Sequence, residues 1–131
     1  MGPPHKTVSV RYKGMDVRID EMLAPLIKKL WQYGILTINC CQENRPGIAW
    51  IQFASPFDAL NFLNVVAPKK NLMYDRMTCE GEFGSWEYKC HVRDEQGEFN
   101  FAISIRFPLT DLPAIMLAFK DDKRVRERII T

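Results

Sequence analysis

Two strictly alternating stretches near the end of the chain constrain the fold more than any other feature. Trp86, Tyr88, Cys90 and Val92 alternate with Glu87, Lys89, His91 and Arg93. Phe99, Phe101, Ile103, Ile105 and Phe107 alternate with Asn100, Ala102, Ser104 and Arg106. Period-two alternation marks strands with one buried face, and the polar run Asp94-Glu95-Gln96-Gly97 between them reads as a hairpin turn. An antiparallel sheet follows, and its apolar face must be covered.

Helical periodicity supplies the cover. Leu23, Leu26, Ile27, Leu30 and Trp31 recur at three- and four-residue spacing behind Asp20, the expected N-cap. Pro25 delays the onset of this helix, and Gly34 followed by Ile35 ends it. Ser55-Pro56-Phe57-Asp58 predicts a second helix start, with Ala59, Phe62, Leu63 and Val66 on one face before Pro68 stops it. A third helix is expected near Thr110 and Asp111, turning Leu112, Ile115, Met116 and Phe119 inward. A hairpin about Lys13-Gly14 is expected over 7–19, strands over 35–41 and 48–54, and a weaker strand over 72–79.

Together these predict an α+β fold. A mostly antiparallel sheet of six or seven strands carries about three helices on one face, and its middle portion has the element order of a ferredoxin-like (split βαβ) unit. The expected organisation is one domain over 1–131, with a loose N-terminus at 1–6 and a charged tail at 120–131.

Composition narrows the class of function. The 131 residues are 47% hydrophobic and 26% charged with net charge +2, which suits a globular domain and not a surface that tracks a phosphate backbone throughout. No run approaches the ~20 apolar residues of a membrane span, so no membrane partner is expected. Residues 1–6 carry no apolar run, and the expected setting is cytoplasmic, with Cys40, Cys41, Cys79 and Cys90 reduced.

Four groups of residues could carry chemistry. The segment Cys41, Gln42, Asn44 and Arg45 lies where a strand turns; a thiolate there needs a base, and with His5 in a terminal segment that role falls to His91. Cys40, Cys41, Cys79, Cys90 and His91 show no zinc-like spacing, so neither a metal nor a cofactor is expected. The polar face of the last hairpin sets His91 and Arg93 across from Asn100, Ser104 and Arg106, a surface suited to a phosphate or carboxylate, with the helix start at Ser55 as a neighbour. In the tail, Arg124 and Arg128 share a helical face and could meet nucleic acid or a partner subunit.

Three segments together resemble a family of small uncharacterised proteins from bacteria and their phages. The segment Gly34-Ile35-Leu36-Thr37-Ile38-Asn39-Cys40-Cys41-Gln42 is similar to a GI-x-T strand ending in Ser-Cys-Gln. Trp50-Ile51-Gln52-Phe53 matches a Trp-Ile-x-Phe strand, and Arg106-Phe107-Pro108-Leu109-Thr110-Asp111-Leu112-Pro113 matches the start of the last helix. The resemblance carries Cys41, Gln42, Arg106 and Asp111 over as candidate functional positions and implies a bacterial host cell if the chain is phage-encoded. Asn39-Cys40 replaces the usual serine.

The reading that accommodates most of these residues is a non-enzymatic binding module for a polar or anionic small ligand, such as a nucleotide signal, or for a protein partner, with homodimerisation through a sheet edge or the last helix. The alternatives are a cysteine enzyme centred on Cys41 with His91, and a nucleic-acid-associated protein using Arg124 and Arg128. The near-neutral charge argues against the last.

Overall fold

The computed structural model describes residues 5–67, 72–78 and 86–121. Its strands are β1 (Thr7–Tyr12), β2 (Met15–Asp20), β3 (Thr37–Arg45), β4 (Ile48–Phe53), β5 (Glu87–Glu95) and β6 (Glu98–Pro108). Its helices are α1 (Ala24–Gln32), α2 (Pro56–Val66), α3 (Leu72–Thr78) and α4 (Leu112–Asp121), the last preceded by a 3-10 turn over Leu109–Asp111. The α+β class holds, but the strands divide into a two-stranded sheet, β1-β2, and a four-stranded sheet of order β3-β4-β6-β5.

Every described ladder is antiparallel. Because β4 and β5 both pair antiparallel with β6, they run in the same direction with β6 between them, and α2 lies in the connection from β4 to β5. The segment expected as a strand over 72–79 is instead α3, and residue 79 lies outside the described residues. Tyr74, Met77 and Thr78 stand three and four residues apart, and the Thr78 hydroxyl donates to the Tyr74 carbonyl at 2.8 Å, one helical turn back. A seven-residue segment of mixed polarity satisfies both periods poorly, and tertiary packing decides.

Local chemistry explains the other elements. The β1–β2 and β5–β6 hairpins each turn through two residues of positive φ, Lys13 (49°) with Gly14 (78°) and Gln96 (53°) with Gly97 (86°), the twist that suits two-residue connections. Helix α1 starts late, as Pro25 requires, but its N-cap is Leu23 with no side-chain bond. Asp20, expected in that role, gives its carboxylate to the Gln42 amide instead. At the other end Gly34 takes φ 78°, its amide reaches the Trp31 carbonyl, and Ile35 N–H reaches Leu30 O at 2.9 Å, closing a Schellman motif over two buried residues. Ser55 caps α2 as expected: its hydroxyl accepts from Asp58 N–H at 3.2 Å and donates to the Asp58 carboxylate at 2.7 Å.

The core lies between the four-stranded sheet and the helices. Ala49, Ile51 and Phe53 of β4 and Ile105 and Phe107 of β6 point into it beneath Leu26, Ile27 and Leu30 of α1, Phe62 of α2, and Ile115 and Phe119 of α4. Phe62 joins the layers, with ring centroids 5.0 Å from Phe53, 5.9 Å from Phe119 and 6.2 Å from Trp86. Each fully buried ring of this kind contributes about 1.5–3 kcal/mol through removal from water. The helices do not cover the whole apolar face: Tyr88, Val92, Phe99 and Phe101, read from sequence as inward residues, are exposed along the β5–β6 hairpin. Among the described residues no helix is long and apolar enough to cross a membrane.

Candidate functional site

The uncovered face of the sheet is organised by register. Glu87 opposes Arg106, Lys89 opposes Ser104, His91 opposes Ala102 and Arg93 opposes Asn100. Trp50 opposes Arg106 and Gln52 opposes Ser104 across β4–β6, while Cys41 opposes Trp50 across β3–β4. Directly opposed residues of antiparallel strands share a face, so Cys41, Trp50, Arg106 and Glu87 form one row across the sheet.

The polar residues expected on this face do share it, and most are committed to one another. His91 Nε2 lies 2.9 Å from the Ser104 hydroxyl, which is fully buried. Arg93 pairs with Glu95 at 3.4 Å, and Asn100 Nδ2 donates to the Ala54 carbonyl at 3.2 Å. Arg45 crosses the face to Glu87 at 2.7 Å, and Arg106 Nε donates to Asn44 Oδ1 at 3.0 Å. Asn44 and Arg45, expected in a loop, belong to β3, which extends to Arg45 before Pro46 and Gly47 turn the chain. The α2 N-terminus, expected to neighbour a bound anion, is already served by Asp58, which also accepts the Leu36 amide at 2.9 Å.

Asp111 is not part of this face. It is 2% exposed, pairs with Arg76 of α3 at 2.6 Å and accepts the Trp86 indole N–H at 2.9 Å. Arg106, five residues before Asp111 in the chain, turns to Asn44 instead. Asp111 therefore acts as a corner tie between α3, the start of β5 and the start of α4, where a buried carboxylate with two donors is well satisfied. Arg124 and Arg128 lie outside the described residues.

Among the described residues, one buried side-chain donor on this face lacks a partner, the Trp50 indole N–H. The Arg106 guanidinium carbon stands 5.9 Å from the Trp50 ring centroid. In the sequence Trp50 is one residue of the strand expected over 48–54; its alternation with buried Ala49 and Ile51 places it on the polar side.

At the β3 edge, the chain assembles a cluster that sequence spacing did not suggest. Glu21 N–H donates to the Lys6 carbonyl at 2.8 Å, continuing the β1–β2 ladder back toward His5. His5 Nδ1 then lies 3.4 Å from Asp20 Oδ2 and 4.0 Å from Cys41 Sγ. The three donor atoms all fall within 4.8 Å of one another. Asp20 is held by the Gln42 amide at 2.9 Å, and the Gln42 side-chain carbonyl accepts the Met22 amide at 2.9 Å, so a reciprocal clasp fixes the β2–α1 corner to β3. A cleft of about 310 Å³ runs beside it, lined by Val17, Asp20, Trp31, Thr37 and Cys40 among others.

The two adjacent cysteines differ sharply. Cys40 opposes buried Ile51 and packs against the core, whereas Cys41 belongs to the cluster. Burial first, then the nearby Asp20 and Cys41, pushes the Cys40 thiol up to about 12, so it stays protonated. The pairing of Cys41 with His91 is not made: they sit on opposite edge strands of the order β3-β4-β6-β5, three strand spacings or roughly 14 Å apart. His5 occupies the place beside Cys41. The signal that could have located it is the Lys13-Gly14 hairpin itself, whose register, run back past Thr7, brings residue 5 to the corner after Asp20.

No protein-family model matches the chain, and no solved structure matches it. An uncharacterised protein of Acanthamoeba polyphaga mimivirus is 29% identical over 127 residues, an alignment that covers 83% of this chain and 64% of that protein. The chain thus spans a little under two thirds of its relative's length, and the relationship that the comparison supports is to a viral protein.

Proposed function

We propose that the protein is a binding domain that takes the anionic group of a small polar ligand on the uncovered sheet face at Trp50 and Arg106. The observation that carries this reading is the buried Trp50 indole N–H with no acceptor among the described residues. Leaving a buried donor unpaired costs about 1–3 kcal/mol, and native proteins keep few such groups. A phosphate or carboxylate oxygen set against it would accept that proton. The same anion would meet Arg106, whose Nε is spent on Asn44 and whose two terminal nitrogens, without a hydrogen bond among the described residues, suit a planar, two-oxygen contact. Nucleotides fit the chemistry, since they combine such an anion with a base able to lie on an aromatic ring.

Tryptophan fluorescence titration with a panel of nucleotides, sugar phosphates and dicarboxylates tests this. Arg106→Ala should weaken the binding found by about 10-fold or more, the equivalent of ~1.4 kcal/mol. Trp50→Phe should weaken it as well while raising the unfolding free energy by about 1 kcal/mol, because the substitution removes the unpaired donor. If no anion in the panel perturbs the fluorescence at millimolar concentration, or if Trp50→Phe leaves affinity unchanged, the reading fails.

A further inference from the structure

We propose that His5, Asp20 and Cys41 form a binding site for a divalent transition-metal ion of the zinc class. The three residues come from separate segments: the run before β1, the end of β2, and β3. They offer the nitrogen, oxygen and sulfur donors that zinc accepts. Bonds of about 2.0–2.3 Å to a tetrahedral zinc place neighbouring donor atoms roughly 3.3–3.8 Å apart. The Nδ1–Oδ2 separation of 3.4 Å falls inside that range, and the Nδ1–Sγ separation of 4.0 Å is a few tenths of an ångström outside it.

The orientation of the imidazole separates a metal site from a catalytic triad. In a triad the histidine uses both ring nitrogens, one toward the acid and one toward the nucleophile, so that a proton can be relayed between them. Here a single nitrogen, Nδ1, faces both the carboxylate and the thiol. Donors that converge on one point from three sides are arranged around a shared centre.

The supporting contacts have the form expected around a metal. Asp20 Oδ2 accepts the Gln42 amide, which orients the carboxylate. The side chains of His5 and Asp20 are 29% and 16% exposed, enough for an ion to enter while most bulk water is excluded. Binding would replace the thiol proton by the metal and release that proton to solvent. The thiolate and the carboxylate then balance the two positive charges, and His5 stays neutral with its proton on Nε2. Three protein donors leave a fourth position open to water or a ligand, as in sites where bound groups exchange. This inference is independent of the anion reading at Trp50 and stands if that reading fails.

Cobalt(II) titration of the untagged, reduced full chain tests it. The expected result is one equivalent bound with a thiolate-to-cobalt charge-transfer band and the visible bands of four-coordinate cobalt, all displaced by zinc. Cys41→Ser should abolish the charge-transfer band. His5→Ala, which alters a residue ahead of the first strand and leaves the core intact, should weaken cobalt binding by at least about 10-fold, the lower end of what even outer-shell partners cost. Cys40→Ser should retain the spectrum. Zinc should also shield Cys41, but not Cys90, from iodoacetamide in peptide mapping by mass spectrometry. Absence of a charge-transfer band at saturating cobalt overturns the proposal. So does a band that survives Cys41→Ser or is unmoved by His5→Ala, or rapid His5-dependent alkylation of Cys41 that zinc does not slow.

Discussion

The two hairpins of the four-stranded sheet are built from similar material and do different things. The β5–β6 ladder runs from Glu87↔Arg106 to Glu95↔Glu98 without a break in register. The β3–β4 ladder shifts twice, between Thr37 and Asn39 and between Cys41 and Arg45. The regular hairpin spends its polar side chains on neighbours and leaves part of its apolar face bare. The irregular one turns Cys41 toward two other segments and gives Gln42 to the clasp with Asp20 and Met22. Breaks in register re-aim side chains, and here they coincide with the converging donors. Regularity made one hairpin easy to read; irregularity accompanies the cluster of His5, Asp20 and Cys41 at the other.

The largest effect that would test this division is in the core the hairpins share. Phe107→Ala removes a fully buried ring stacked 5.2 Å from Trp86 and should cost about 3–5 kcal/mol in urea unfolding. A loss below about 1 kcal/mol would mean that the regular hairpin is not anchored as described.

Cysteine chemistry gives an intermediate contrast. At pH 8, iodoacetamide should modify exposed Cys90 of β5 at least about 10-fold faster than Cys40 of β3, because only the thiolate reacts. The same difference should appear in stability at high pH. Burial raises Cys40 from 9.0 to about 12; Tyr88 is exposed over much of its side chain, but partial burial around its hydroxyl, which donates to the Met77 carbonyl, raises it from 10.0 to about 12. Above pH 9 the unfolded chain gives up these protons while the folded one retains them, so stability present below pH 9 should fall as pH rises toward 12. Cys40→Ala should flatten that decline, as read by unfolding midpoints across the pH series; an unchanged slope would remove Cys40 from the account.

The smallest effect belongs to the bare end of the regular hairpin. Phe99 is 82% exposed, and Phe99→Ser should change the unfolding free energy by no more than about 0.5 kcal/mol. A larger loss would show that this end is covered in solution.

What could be read from sequence follows the range of the determining interactions. Ser55 with Asp58, Gly34 with Ile35, and the alternation of β5 and β6 are settled within a few residues, and each was legible. Helix α3 was misread because seven residues carry too little period to separate a helix from a strand. That error concealed Arg76, and with it the ion pair that Asp111 makes with another element. The cluster at Cys41 was harder still. His5 reaches it only because the β1–β2 hairpin docks on β3, a contact between residues far apart in the chain that no local spacing encodes. Trp50 was hidden for a different reason: an apolar side chain on a polar face looks, in sequence, like more core.

The position of β5 has a consequence for how the protein behaves among copies of itself. In the order β3-β4-β6-β5 this nine-residue strand pairs with β6 on one side and with no other described strand. Its backbone groups could therefore template further sheet, and Val92, Phe99 and Phe101 beside it would reward such growth. Glu87, Lys89, His91, Arg93 and Glu95 line the same strand with mixed, hydrated charge. An incoming strand would have to strip water from those groups before gaining a single ladder bond. The same row of side chains that meets Arg45 and Ser104 across the sheet would thus oppose growth at its edge.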